Sequence, residues 1–387
     1  MIVHSQYPVG EPRAEREARA ALEAGYDVDV ICLRSQQEPA LESVDGIGVL
    51  RLPVEHVRGV GAIRSLREYG GFALRATIAA LRTHRRSPVD VIYVHAPPDF
   101  LVVAALIPRL LGSGVVLDIH DLSPHMFEAR FGERRFASMG DRALRLLERR
   151  ACAAADRVVT VHDPYRDELI ANGVPSSKIV VVMNGPEEEV VKHARAKSAN
   201  ESGGFLVAYH GTITHWYGVD LLIEAIARVE KRVPGLRGLI LGEGDALTQV
   251  EALAQVRGVQ DKVEFSHSYL PHTEALCLVA KASCGVIPNR PSRLNRFALS
   301  SKLLDYVALE VPVVVARLET LAAHFSPEEA TFFEPDNAES LAEAVAWVAE
   351  NPTIARAKAR RARRRAADYG WSVSRARLLE ALSCAAS

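Results

Sequence analysis

In residues 297–316, FALSSKLLDYVALEVPVVVA, a helical pattern carrying Lys302 and Asp305 passes a turn at Glu310–Pro312 and enters an apolar strand, Val313 to Ala316. A helix feeding a short, wholly apolar strand is half of a βαβ unit, and such strands belong to parallel sheets covered on both faces. The i,i+3 spacing puts Lys302 and Asp305 on one face of the helix. At the carboxyl edge of a parallel sheet that pair can serve one ligand. Lys302 would meet an anionic group and Asp305 would accept from sugar hydroxyls. The plain alternative is a surface ion pair worth roughly tenths of a kcal/mol.

The same rhythm runs outward in both directions. Upstream, strands are expected at Ile2–Ser5, Val28–Leu33, Val89–Val94, Val115–Ile119, Val158–Val161 and Ile179–Met183. Helical patterns at Arg13–Ala24, Ile63–Arg85 and Arg142–Ala154 separate some of them. A polar stretch, 187–204 (EEEVVKHARAKSANESGG), breaks the alternation and reads as a domain boundary. Strands then resume at Phe205–Tyr209, Gly238–Leu241, Val263–Phe265, Cys284–Ile287 and Val313–Val315. A chain of 387 residues is long for one core. The expectation is two doubly wound α/β domains, 1–190 and 204–369, with a C-terminal helix at 370–387 packing back on the first. A cleft would lie between the carboxyl edges of their sheets.

Composition narrows the function classes. The net charge of −1 argues against a dedicated nucleic-acid binder. The five cysteines are scattered and form no CxxC, so neither a disulfide framework nor a zinc site is indicated. A reducing, cytoplasmic setting is expected. There is no apolar run of membrane-spanning length, and the opening MIVHSQYPVG does not read as a signal peptide. No acidic cluster has metal-site spacing, so no metal ligand is assigned.

Several segments carry candidate chemistry. YHGTITHWYG (209–218) joins a strand to the helical run VDLLIEAIARV. Gly211 allows close backbone approach, and the helix N-terminus offers N–H groups to an anion. The reading is a diphosphate site or a plain βα turn. LGEGD (241–245), with Gly242, Glu243 and Gly244, is a second turn of the same kind. His120 and Asp121 follow the strand VVLDI, where His120 can donate to a phosphate or a sugar hydroxyl; the alternative is a surface histidine. Asp118, inside that strand, is expected to bond the backbone. NRPSRLNR (289–296) holds Arg290, Arg293 and Arg296, which suit phosphate or simply a solvated loop. Val57–Arg86 interleaves seven arginines and one acid, Glu68, with apolar and aromatic residues. It reads either as a contact with an anionic membrane surface or as a solvated helix face.

Taken in order, these segments resemble the GT4 group of retaining glycosyltransferases. The matching pieces are YHGTITHWYGVDLLIEAIA (209–227), LGEGD, VEFSHSYLPHTEALCLVAKASCGVIP (263–288) and SSKLLDYVALEVPVVVA (300–316). The first half adds YPVGEPRAEREARAALEAGYDVDVICLR (7–34) and HDLSPHMF (120–127). The resemblance implies a GT-B fold, two Rossmann-like doubly wound parallel-sheet domains facing across a cleft. It implies a metal-independent enzyme that needs no cofactor. It would move a sugar from a nucleotide-diphosphate donor to a glycan, a lipid-linked acceptor or a secondary metabolite.

The family's pattern places Asp305 where the second acid of its E-x7-E motif holds the ribose, and Lys302 by the diphosphate. Tyr269 and Leu270 fall where backbone groups read the base, and His120 matches the first-domain histidine near the donor sugar. Gly211, Thr212, Tyr217, Gly242, Glu243, Gly244, Arg293, Arg296 and Ser301 complete the donor set. Tyr7, Pro8 and Asp121 stand on the acceptor side. Three departures follow. Phe297 replaces the first acid, Thr212 and Tyr217 replace phosphate-binding cations, and Glu310 replaces a glycine. A sugar-nucleotide epimerase and a catalytically degenerate nucleotide-binding or scaffold protein are the rival readings. A peripheral position on the inner face of the membrane accompanies the lipid-linked option.

Overall fold

Alternation of apolar runs with amphipathic helices yields two parallel sheets. The computed structural model describes residues 1–8, 11–35, 38–54, 62–131, 137–198, 204–268 and 270–386. The chain divides into two compact units, Met1–Met183 with Val373–Ser387, and Asn184–Ser372.

The first unit contains β1 (Ile2–Gln6), β2 (Asp29–Leu33), β3 (Leu41–Val44) and β4 (Ile47–Leu52), then β5 (Val91–Ala96), β6 (Gly114–Ile119), β7 (Arg157–Thr160) and β8 (Ile179–Val181). Among the described residues their order is β3-β4-β2-β1-β5-β6-β7-β8. Among the described residues, β3 and β4 form the one antiparallel pair. The connecting helices are α1 (Pro12–Glu23), α2 (Ala62–Arg86), α3 (Val103–Leu110), α4 (Ser123–Phe131), α5 (Ala137–Ala154) and α6 (Asp163–Ala171). The sheet order reverses between β1 and β5, the kind of switch point at which open α/β sheets place ligands.

The second unit opens with α7 (Glu188–Ser198). Its strands are β9 (Phe205–His210), β10 (Leu236–Leu241), β11 (Val263–Phe265), β12 (Cys284–Ile287), β13 (Val313–Ala316) and β14 (Thr331–Phe333). They run parallel in the order β11-β10-β9-β12-β13-β14. The helices are α8 (Val219–Val229), α9 (Leu247–Val256), α10 (His272–Val279), α11 (Arg293–Phe297) and α12 (Ser301–Leu309), followed by α13 (Glu319–His324), α14 (Ala338–Glu350) and α15 (Pro352–Arg365). The last helix, α16 (Trp371–Ala386), has most of its length in the first unit.

The central strands β6 and β13 are buried at every position, which is why their sequences are unbroken apolar runs apart from Asp118. Helix α16 lies so close to β6 that a Cβ on Gly114 would meet the Ala385 carbonyl oxygen. The Met183 N–H donates to Ser374 Oγ at 3.1 Å.

Three features differ from the sequence reading. The polar stretch 187–204 is helical through Ser198, and the units divide ahead of it, between Met183 and Asn184. Its apolar residues Val191 and Ala194 are buried among charged neighbours, which explains why composition alone suggested a linker. The β3–β4 hairpin and the edge strand β14 were not anticipated. The hairpin turns on Asp45 (φ 50) and Gly46 (φ 87), the Asp-Gly chemistry of a two-residue turn.

Glu310, at the C-terminal end of α12, adopts a left-handed conformation (φ 59, ψ 29) where glycine is easier. Its carboxylate bridges Arg195 of α7 and Arg363 of α15. That bridge gives a physical reason for an acid at this position. No helix among the described residues is long and apolar enough to cross a membrane.

Candidate functional site

In the second unit, two glycine turns interlock at the ends of β9 and β10. The Gly211 N–H donates to the Leu241 carbonyl at 2.8 Å, and the Ile213 N–H to the Glu243 carbonyl at 2.9 Å. A Cβ on Gly242 would strike the Gly211 carbonyl oxygen, and one on Gly244 the Ile213 carbonyl oxygen. Gly242 (φ 136) and Gly211 (φ 111) hold backbone conformations that L side chains rarely adopt. The Gly242 N–H is fixed by Ser266 Oγ at 2.8 Å. Gly218, left-handed at φ 62, starts α8 and lies against the Pro288 carbonyl.

Lys302 reaches over this frame from the first turn of α12. A Cβ on Gly211 would sit 2.3 Å from Lys302 Cε, so with glycine here the lysine can lie directly over the turn. The ammonium lies 4.4 Å from the Tyr217 ring centre and 5.6 Å from that of Tyr209. Tyr209 is itself anchored by donating its hydroxyl to the Thr212 carbonyl at 2.6 Å. Tyr217, standing where the resemblance implies a cation, therefore packs its π face against the cation supplied by Lys302. Burial pushes the Lys302 pKa down to about 8, against the pull of Asp305. Ser301 is exposed beside it at the helix start, and Glu243 and Gly244 are exposed on the second turn.

Asp305 is sealed in, with 5% of its side chain exposed. Its Oδ2 accepts from His210 Nε2 at 3.0 Å and from His272 Nε2 at 3.2 Å. Burial opposes its ionisation, but the two histidines override that and hold it far below the ordinary carboxylate range. Burial lowers the His210 pKa despite Asp305. The other His210 nitrogen lies 3.1 Å from the Tyr306 hydroxyl, which donates to the Ala208 carbonyl at 3.0 Å. The His272 side chain is 47% exposed. The sequence reading had Asp305 accepting from sugar hydroxyls; in the structure its Oδ2 faces two histidines, of which His272 is half-exposed. His210 and His272 were not singled out from sequence. The one local signal was the position of each, at the end of β9 and the start of α10.

The arginine loop turns to the protein itself. Arg290 grips Asp220 with two bonds of 2.7 and 2.6 Å, and also reaches Asp336 and the His215 carbonyl. Arg296 pairs with Glu319 and lies 5.3 Å from the Phe297 ring centre. Where the sequence reading had a phosphate ligand, Glu319 lies against the Arg296 guanidinium in an exposed ion pair. Leu270 is half-buried; Tyr269 and the Arg293 side chain lie outside the described residues.

In the first unit, β5 and β6 bring a second cluster to their carboxyl ends. Arg13 of α1 donates Nε to Asp118 Oδ2 at 2.8 Å and a terminal nitrogen to Oδ1 at 3.0 Å. It also reaches the Val182 carbonyl (2.9 Å) and Glu17 (3.1 Å). Asp118 thus bonds a side chain 105 positions away, not the local backbone expected. His95 Nδ1 lies 3.4 Å and His120 Nδ1 3.7 Å from Asp118 Oδ2, the latter a charge contact rather than a hydrogen bond.

These surroundings set the charges of the cluster. Burial opposes protonation of His120, yet Asp118 raises its pKa to about 9. Burial lowers His95. Burial also raises Glu17 to about 8, against Arg13. His95, Asp118 and His120 are close enough for a metal ion to bridge them. Both Asp118 oxygens already accept from a guanidinium, whose fixed charge would repel such an ion.

Asp121 lies beside His120, and burial raises its pKa. Tyr7 is only 2% exposed and belongs to a core cluster with Val3, Ala14, Ala18 and Val30. Its apolar ring makes it a packing residue, a correction to the acceptor-side expectation. Pro8, after it, is half-buried. The stretch 57–61 of the basic segment lies outside the described residues.

Residues 10–185 match the Glycosyl transferase 4-like domain, and residues 190–368 match Glycosyl transferases group 1. Alpha-D-kanosaminyltransferase of Streptomyces kanamyceticus is 26% identical over 58% of the chain and 61% of its own length. Glycogen synthase of Mycobacterium tuberculosis is 27% identical over 56% of the chain and 51% of its own length. The chain thus spans about half to three-fifths of these relatives. Sucrose-phosphate synthase from Thermosynechococcus elongatus superposes with a TM-score of 0.75 at 18% identity, over 95% of this chain and 91% of the other. Anabaena HepE, solved in complex with UDP-glucose, gives 0.72 at 15% identity, over 99% and 98%.

Proposed function

The chain belongs to the group 1 glycosyltransferases and has their GT-B fold, and from that premise we propose that it moves a sugar from a nucleotide-diphosphate donor to a glycan, lipid-linked or secondary-metabolite acceptor. One observation carries the proposal. Lys302 is the cation set over an interlocked pair of glycine turns, held by two tyrosine rings and given space by Gly211. A half-buried ammonium over the glycine turns is suited to a departing diphosphate, because away from bulk water its charge counts for more. HepE was solved with UDP-glucose, which supports a donor of this class.

In this reading Lys302 and the backbone of the glycine turns neutralise the leaving diphosphate without a metal. The anomeric configuration is retained by front-face displacement, and the departing phosphate accepts the acceptor's proton. His272, oriented by Asp305 through Nε2, offers its other ring nitrogen to a ribose hydroxyl. His120, kept protonated by Asp118, donates to a donor phosphate or sugar hydroxyl. For a lipid-linked acceptor, this reading has the acceptor side of the reaction meet an anionic membrane surface.

Calorimetry with UDP, GDP and TDP tests the reading. One nucleotide should bind tightly, and Lys302→Ala should weaken it by roughly tenfold to a hundredfold, the scale of a hydrogen bond to a charged group. Equal affinity in the variant would remove the site. A degenerate binder is the second reading, favoured by Phe297 in place of an acid and by the Arg296–Glu319 pair. Tight nucleotide binding without turnover on a broad acceptor panel would select it. Donor conversion without any acceptor would select an epimerase.

A further inference from the structure

We propose that α2 and α3 together form a docking face for an anionic phospholipid bilayer, with α3 entering the headgroup–acyl boundary and α2 supplying the cationic rim. The inference rests on the reading that the acceptor side of the reaction lies at a membrane, and it names the surface that would make the contact.

The two helices pack against each other. The connections β4 to β5 and β5 to β6 step the same way along the sheet. Right-handed crossovers therefore put α2 and α3 on one face.

Helix α3 shows solvent an apolar surface. Val103, Leu106, Ile107 and Leu110 are exposed along it, Leu110 by 86%, and Leu111 follows. Its one charged residue, Arg109, turns to Asp156 at 2.6 Å. Nothing charged on α3 interrupts the face. Single exposed apolar residues need no explanation, but a contiguous group on one helix does.

Helix α2 adds the charge. Leu74, 63% exposed, and Ile78 lie at the centre of its outer face. Arg67, Arg75, Arg82 and Arg85 flank them, all exposed. The single acid of the helix, Glu68, turns inward to His4 at 3.2 Å with 7% of its side chain exposed. Among the described residues of α2, the outer face therefore carries arginines and no acid. Its opposite face buries Phe72, Ala76 and Ala80 against the unit.

Apolar side chains in the middle, arginines around them and no outward acid are the pattern of an in-plane amphipathic contact with anionic lipid. A second copy of the chain fits poorly. A self-complementary contact through this face would bring its arginines near one another with no acid between. An acidic protein partner is the other occupant, and the experiment separates it.

Full-length protein is floated with phosphatidylcholine vesicles, with and without phosphatidylglycerol, at low and high salt. The chain should float with the anionic vesicles at low salt and release at high salt. Leu106→Ser/Leu110→Ser should lower the partition about tenfold or more. Arg75→Gln/Arg82→Gln should lower it roughly twenty-fivefold, at about fivefold per arginine. Thermal unfolding and nucleotide affinity should be unchanged in both variants, which separates failure of this surface from failure of the transferase reading. Absence of flotation at low salt overturns the proposal, as does flotation indifferent to both variants. It is also overturned if sedimentation shows dimers dispersed by the leucine changes, or if an acidic peptide binds this face and anionic vesicles do not.

Discussion

Asp118 and Asp305 are both buried carboxylates near the carboxyl end of a parallel sheet, and their partners give them different tasks. Asp118 meets an arginine that cannot lose its charge, through two parallel bonds. That pair is closed and ties α1 to β6. Asp305 meets two histidines, one interior and one half-open to solvent. Asp118, with its fixed bidentate partner, first of all holds structure, and it sets the charge of His120 only from 3.7 Å. A carboxylate whose partner is a half-exposed imidazole can pass its charge to a ligand.

The largest test of the contrast is Arg13→Ala. It strands Asp118 as a buried charge, and removing one member of a buried pair costs about 3–5 kcal/mol. Urea unfolding of the variant should show a loss on that scale. A loss no larger than that of a surface arginine would remove the distinction.

Alkali should separate the two units. The His120 pKa is raised to about 9. The folded state therefore holds a proton that the unfolded chain releases near pH 6.5, and stability from this group is present below that value and lost as pH rises through 9. Glu17, raised to about 8, acts in the same sense between its ordinary range and pH 8. Lys302 is lowered to about 8, so from there to its ordinary value near 10.5 the unfolded chain binds more protons. Its contribution to stability therefore rises with pH. Hydrogen exchange followed separately in the two units from pH 7 to roughly 9 should show protection falling around β6 and α1 while α12 is spared. Parallel loss in both units would contradict these assignments. Nucleotide affinity should fall over the same range, since only the charged Lys302 attracts a diphosphate.

His272→Ala is the smallest change. Its ring is half-exposed and His210 still serves Asp305, so stability should drop by about 1 kcal/mol or less. Nucleotide affinity should drop by a larger factor than that. If stability falls and affinity does not, His272 is only a structural partner of Asp305.

The sequence was most legible where one local pattern decided the structure. The strands Val313–Ala316 and Gly114–Ile119 are buried throughout, and unbroken apolar runs announced them. The placement of Lys302 over the glycine turn was legible because a glycine turn and a helix start are local signals. Asp118 was not: its partner Arg13 is distant in sequence, and spacing carries no record of such a pair. The β3–β4 hairpin escaped notice although its Asp-Gly turn was visible, because β3 is largely exposed and lacks apolar alternation. Arg296 looked like a phosphate ligand because composition cannot reveal that Glu319 waits beside it.

The interlocked glycine turns meet through main-chain atoms, Gly242 against Gly211 and Gly244 against Ile213. The scaffold of the pocket is thus decoupled from the residues that decorate it. If a nucleotide sugar seats here as proposed, replacing the exposed Glu243 should alter donor preference while leaving the geometry under Lys302 in place, and selectivity could then drift through evolution, or be redesigned, one side chain at a time.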